Sequence, residues 1–223
     1  TNPKIKLEHL KDPFCNTCMK MANNGMNEVI VVSTLLEDYI RMKYPNYKIT
    51  SSTCKQLEDM KELSEELEKD YSLVVLDYNW NNKFDELEKI PHKEKCELLV
   101  NACCTPACKK RKEHYDHVGD FQIKLTEHMK HPNEPFDCKD FDCPQMGMAL
   151  YQTTGYSTHI KPEDIYNKYV PMGYENFKIE GRSVPDINVL ETYMYYMIKP
   201  EYRDRARLFL TLMLTRKHKY FND

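Results

Sequence analysis

The sequence predicts an α/β protein whose parallel strands alternate with helices, either as a (β/α) barrel of the TIM type or as a doubly wound sheet. Short β-rich runs recur at intervals of about 20–25 residues, each followed by an amphipathic stretch, which is the spacing of compact βα units. Apolar runs such as Val74–Leu76 do not alternate with polar residues, as is typical of strands buried on both faces. Because fewer strands are recognisable than a complete barrel needs, we expect the TIM-barrel-like domain to be partial or degenerate.

The elements follow in a regular order along the chain. We predict strands at Glu28–Val32, Tyr47–Ser51, Leu73–Leu76, Glu97–Val100 and Asn176–Ile179. The helix "TLLEDYIRMKYP" follows the first strand and ends at Pro45, because proline cannot continue a helix. The helix after the second strand carries apolar residues three and four positions apart, and a short helix, "NKFDELEKI", follows the third. After the last strand, the sequence from Asp186 onward predicts one or two closing helices around Pro200.

Residues 102–160 interrupt this rhythm. They are rich in Cys, His, Pro and Asp and contain the irregular stretch "HPNEPFDCKDFDCPQMG". The segment is too poor in apolar residues to build a core of its own. We therefore interpret residues 1–223 as a single barrel-like domain with a Cys/His-rich insertion after the fourth visible strand.

Composition excludes several classes of protein. The net charge of −3 shows no polycationic footprint, so nucleic-acid binding is not indicated, and no apolar run is long enough for a membrane span. The chain has nine cysteines, an odd number, and Cys103 and Cys104 are adjacent. An extracellular disulfide framework would use an even number, so we expect a reduced, cytoplasmic protein. A chain that starts at Thr1 with a loop and helix already under way also favours missing elements upstream.

Four cysteines have the spacing of a metal or cluster site. They form the pairs Cys104-x3-Cys108 and Cys138-x4-Cys143, and four thiolates in two close pairs can hold Zn²⁺ or a 4Fe–4S cluster. Structural zinc more often uses C-x2-C pairs, so the spacing favours iron–sulfur and leaves zinc as the alternative. The other possibility is that the thiols are free and pack as small hydrophobic groups, which is our interpretation of Cys54 and Cys96. Cys103 is interpreted as the spare neighbour of the ligand Cys104.

Polar side chains follow several of the predicted strands. In either parallel architecture the carboxyl ends of the strands meet at one mouth, where sites form. Asp77 ends the third strand, and Glu180 and Arg182 follow the fifth. Ser and Thr at other strand ends are interpreted as helix caps. The basic run Lys109–Lys112 fits a solvated helix face and an anion site equally well. Four histidines, at 114, 117, 128 and 131, are interpreted as surface residues and as reserve metal ligands in place of Cys138 or Cys143.

The stretch "NFKIEGR" resembles a signature of the collagenase-like peptidase family. The matched residues are Lys178, Ile179, Glu180, Gly181 and Arg182. This family has a TIM-barrel-like core with a Lys-Ile-Glu-Gly-Arg sequence near its end, and a strand that runs into a cysteine, as "ELLVNACC" does here. It includes iron–sulfur enzymes that hydroxylate RNA bases or quinone precursors without oxygen. The similarity covers roughly residues 27–205.

The resemblance implies a cluster-dependent redox enzyme related to these oxygen-independent hydroxylases. In that hypothesis the cluster carries electrons, and Glu180 and Asp77 transfer protons. Arg182 and Lys178 would bind an anionic group of an unknown substrate.

Two other functions stay open. One is a non-catalytic module in which zinc staples the insertion and a protein partner covers the sheet edge of the incomplete barrel. The other is a peptidase, which is disfavoured because the sequence has no H-E-x-x-H motif.

Overall fold

The centre of the protein is one parallel sheet. The computed structural model describes residues 2–143, 150–181 and 185–218, with side chains as far as residue 216. The strands are β1 (Glu28–Val31), β2 (Lys48–Ser51), β3 (Leu73–Val75), β4 (Cys96–Leu99) and β5 (Asn176–Lys178). They lie side by side in sequence order, and every neighbouring pair is parallel. The predicted parallel α/β architecture is therefore confirmed, and each predicted strand end agrees within one residue.

Helices connect and flank the strands. Their bounds are α1 (Pro13–Met21), α2 (Thr34–Lys43), α3 (Met60–Leu67), α4 (Phe84–Leu87), α5 (Arg111–Lys130), α6 (Leu150–Thr153), α7 (Pro162–Asp164, continued by a wider turn over Ile165–Tyr169), α8 (Asp186–Met197) and α9 (Arg203–His218). Side-chain caps begin several of them: the Ser33 hydroxyl accepts a hydrogen bond from the backbone N–H of Leu36, and Asp59 caps α3 in the same way. No helix in the described ranges is long and apolar enough to cross a bilayer.

One face of the sheet carries the main hydrophobic core. Successive side chains of a strand point to opposite faces, and the fully buried Val31, Val74 and Leu98 share the face that packs against Leu63 and Leu67 of α3. At roughly 25 cal/mol per Å² of apolar surface removed from water, such side chains contribute about 1.5–3 kcal/mol each. This face fixes the strands and so fixes where their carboxyl ends lie.

The opposite face is packed much less. Its apolar cluster consists of Val75, Tyr78, Leu99 and Ala102, with Cys104 packed against it. The strands therefore leave room above this face, and the candidate site lies there.

The predicted insertion contains the longest helix of the described chain. It lies between β4 and β5 and includes α5, the short α6 and a return segment, residues 131–143, that runs back along α5 without regular structure. Aromatic contacts of Phe136 and Phe141 with rings of α5 hold the return segment on the helix. The Phe141 ring stacks on His114 with centroids 4.6 Å apart and planes 4° apart, and Phe136 meets Phe121 edge-on at 5.5 Å.

Candidate functional site

A cavity of about 320 Å³ lies at the carboxyl ends of the strands. All five strands or the residues that follow them contribute to its lining, together with α5 and the end of the return segment. Ile30, Val75 and Leu99 form an apolar floor on the loosely packed face of the sheet. The polar lining residues are Ser52, Thr53, Tyr78, Arg111, His114, Tyr115, Lys178 and Glu180. A site at this edge is what the parallel architecture predicts.

Cysteine thiols are concentrated around this cavity. Cys54, Cys103, Cys104 and Cys143 line it, and Cys108 lies near enough to Cys104 to raise the pKa of its thiol. Two of the four predicted ligands, Cys104 and Cys143, thus line one cavity, although they are 39 positions apart in the sequence. The fourth, Cys138, is not among the lining residues, and its sulfur lies 3.9 Å from the Lys139 carbonyl oxygen.

Burial favours the protonated form of two of these thiols, Cys103 and Cys104. It raises the pKa of Cys103 to about 12, with Glu180 and Cys104 adding to the effect, and it also raises the pKa of Cys104. The Arg111 guanidinium acts in the opposite direction on Cys104, because a nearby cation stabilises the thiolate. Binding of a thiophilic metal would therefore release protons from this cavity.

The thiols are arranged around a space and do not meet at a point. In the described part of the chain, no three His, Cys, Asp or Glu side chains are close enough together to hold a single metal ion. A tetrahedral zinc site needs four such ligands at about 2.0–2.3 Å from the ion. The side chains that the structure describes therefore do not form a preassembled site for a single ion.

Asp77 and Arg111 form a buried ion pair beneath the thiols. They are 1% and 3% exposed. The guanidinium donates to both carboxylate oxygens of Asp77, at 3.1 Å for Nη1–Oδ1, and to Oε1 of Glu58 at 2.7 Å. Arg111 also lies over the Tyr78 ring, 4.5 Å from its centroid. Asp77 additionally accepts the N–H of Asn79 at 2.9 Å and does not line the cavity, so its oxygens are occupied within the protein.

Glu180 reaches the cavity on a rigid backbone. The Asn101 side chain donates to the Glu180 carbonyl oxygen and accepts the Glu180 N–H, both at 2.7 Å. Its carboxylate Oε2 accepts the backbone N–H of Cys103 at 3.0 Å. These three bonds tie the end of β5 to the residues after β4, so the carboxylate is held facing the thiols.

Of the two cations predicted to bind substrate, Lys178 and Arg182, the structure describes only Lys178. Lys178 lines the cavity and forms an ion pair with Glu97, at 2.8 Å between Nζ and Oε2. Arg182 lies outside the described residues.

Sequence reasoning missed several residues of this site. Cys54 was interpreted as a packing thiol, yet it follows β2 directly, and that position was the available indication. Arg111 belongs to a basic run that looked equally like a solvated face, whereas it is almost fully buried against Asp77. Nothing local identifies Asn101 as the partner of Glu180, because 79 positions separate them.

Protein-family models, curated proteins and solved structures contain no match to the chain. Its fold and site therefore rest on its own residues, and the resemblance to the collagenase-like peptidase family stays a prediction.

Proposed function

We propose that this protein is a redox enzyme that holds a 4Fe–4S cluster at the carboxyl ends of its parallel strands, on a partial (β/α) barrel. The observation that carries the proposal is the convergence of Cys104 and Cys143 on one cavity, with Cys108 near Cys104. Cys54 or Cys103 would supply a fourth thiolate, since both line the same space. When bound, the cluster would supply one-electron transfer, with a potential set by its charge, hydrogen bonds and exposure.

The protein's own groups support this chemistry. The thiols are half-buried beside an apolar floor, which restricts water near the bound group. Arg111 places a fixed positive charge beside Cys104, and its pairing with Asp77 keeps it there. Glu180 is the cavity carboxylate available to exchange a proton with a bound substrate. Asp77 is assigned a positioning role, because its oxygens bind Arg111 and the Asn79 N–H.

Anaerobic purification with iron, sulfide and zinc analysis tests the proposal. We expect about four irons and four sulfides per chain and a visible absorbance that bleaches on reduction. Cys104→Ser and Cys143→Ser should lose the iron, whereas Cys18→Ser, which alters an exposed thiol on α1, should retain it. Stoichiometric zinc without sulfide would overturn the cluster and support the zinc-stapled binding module. A chain that takes up neither metal on reconstitution would overturn both.

A further inference from the structure

One carboxylate at the cavity, that of Glu180, has no cationic partner among the residues that the structure describes. Arg111 is paired with Asp77 and Glu58, and Lys178 is paired with Glu97. Glu180, by contrast, forms no ion pair with any residue that the structure describes, and the one hydrogen bond that its carboxylate accepts from those residues comes from the backbone N–H of Cys103. Among the residues that the structure describes, the two cations that line the cavity thus have carboxylate partners, and Glu180 does not have a cationic one.

The carboxylate is also preorganised. The paired hydrogen bonds between Asn101 and the Glu180 backbone fix the residue, and the Cys103 N–H fixes one carboxylate oxygen. The other oxygen, Oε1, accepts no hydrogen bond within the described ranges, so it is free to accept one from a ligand. A group that is already held in place loses little conformational entropy on binding.

The rest of the cavity is apolar enough to take a hydrocarbon body. Ile30 is 38% exposed on the floor, next to Val75 and Leu99. The volume of about 320 Å³ lies at the lower end of the range for small-molecule sites. An apolar floor with one fixed carboxylate at the side is the arrangement that recognises an organic cation, because the body is desolvated while the charge finds its partner.

We propose that the cavity binds a small apolar amine or amidine, with its cationic group on Glu180 and its hydrocarbon body on Ile30, Val75 and Leu99. As the substrate class of the redox enzyme, this inference rests on the proposed function; as a binding site, it is tested separately. It assigns the ligand a positive group, where the sequence led us to expect an anionic one.

Calorimetric titration of the full chain, purified under reducing conditions, tests the inference. The probes are benzylamine and benzamidine, with benzyl alcohol as the neutral analogue and benzoate as the anion. We expect both cations to bind at least tenfold more tightly than the alcohol or benzoate. Benzoate binding as tight as that of the amines, or no binding of either cation, would overturn the inference.

Two variants locate the site. Glu180→Gln keeps an oxygen that can accept the Cys103 N–H and should weaken benzylamine binding at least tenfold, whereas Glu175→Gln alters an exposed carboxyl just before β5 and should leave binding unchanged. Ile30→Trp fills the floor at a partly exposed position and should weaken binding without any change in charge. Unchanged affinity in Glu180→Gln would overturn the assignment, and if that variant fails to fold, unchanged affinity in Ile30→Trp would do so.

Metal analysis of the same samples separates this inference from the proposed function. Amine binding by a chain without iron would keep the ligand assignment and remove the redox proposal. Iron and sulfide in a chain that binds no amine would do the reverse.

Discussion

Opposite charges are rarely buried as deeply as Asp77 and Arg111. Taking two charges out of water costs free energy that their attraction must offset, and losing one partner leaves the other uncompensated. Here the arrangement holds a cation beside Cys104 and lets the Arg111 guanidinium cover the Tyr78 ring. The pair therefore links the stability of the strand end to the electrostatics of the thiols.

We expect Asp77→Asn to lower the free energy of unfolding by about 3–5 kcal/mol, because it leaves the Arg111 charge buried with only the partly exposed Glu58 as partner. Denaturant unfolding measures this change. Glu58→Gln is the matched control: it removes the partner that is 53% exposed and should cost less than about 1 kcal/mol. If both variants lose the same free energy of unfolding, the burial of Asp77 does not explain the loss in Asp77→Asn.

The residues of the site were harder to predict than the strands that position them. Asp77, Glu180 and Cys104 could be placed at strand ends because each follows an apolar run. The partners of these residues could not be predicted. Arg111 contacts Asp77 across 34 positions of the sequence, and Asn101 contacts Glu180 across 79. The spacing of residues along the chain gives no information about such contacts. The position of Asp77 at a strand end therefore led us to predict a catalytic role, and its ion pair with Arg111 could not be foreseen.

At the scale of elements, the return segment is packed against α5 through its aromatic side chains. The strands were predictable within one residue because parallel strands buried by helices need unbroken apolar runs. The return segment has no such pattern, and its course is set by Phe136 and Phe141 docking on rings of α5. Because Phe141 is two positions from Cys143, this docking brings the cysteine to the cavity.

Phe141→Ala should release the end of the return segment. An aromatic pair contributes about 1 kcal/mol, so the population with Cys143 away from the cavity should rise about fivefold. The alkylation rate of Cys143 in the metal-free chain, followed by mass spectrometry, measures this change. Met129→Ala, at an exposed position on α5, is the control and should not alter the alkylation rate. An unchanged rate in Phe141→Ala would mean that other contacts position the cysteine.

For the whole molecule, resistance to acid depends on a polar network on the helix-covered side of the sheet. Glu66 of α3 is 4% exposed and accepts hydrogen bonds from Ser51 of β2 and from Lys55 and Lys69. Burial alone would raise its pKa, but the three donors lower it from 4.5 to about 2. The charged form is therefore the one that the fold stabilises.

This pKa sets the pH window of the contribution. A carboxyl whose pKa is lower in the folded chain stabilises fully above its unfolded pKa of 4.5 and stops doing so as the pH falls toward about 2. We expect Glu66→Gln to be less stable than the wild type at pH 7 and to lose less stability between pH 4.5 and 2. Urea unfolding at several pH values gives both quantities. Glu65→Gln, at the exposed neighbouring position, should follow the wild-type curve.

The sequential strand order also has a consequence for how the chain folds. Paired residues of β1 to β4 are about 20–23 positions apart, whereas those of β4 and β5 are about 80 apart. The loss of chain entropy on closing the longer loop costs roughly 1 kcal/mol more free energy than closing one of the shorter loops. We expect β5 to join last, and with it Glu180 and the cavity wall. Pulse-labelled hydrogen exchange during refolding should protect β3 before β5; the reverse order would contradict this. In this order of folding the cavity forms only when β5 has joined the sheet. A ligand of the cavity would therefore bind only the fully paired sheet and would stabilise it against the loss of β5.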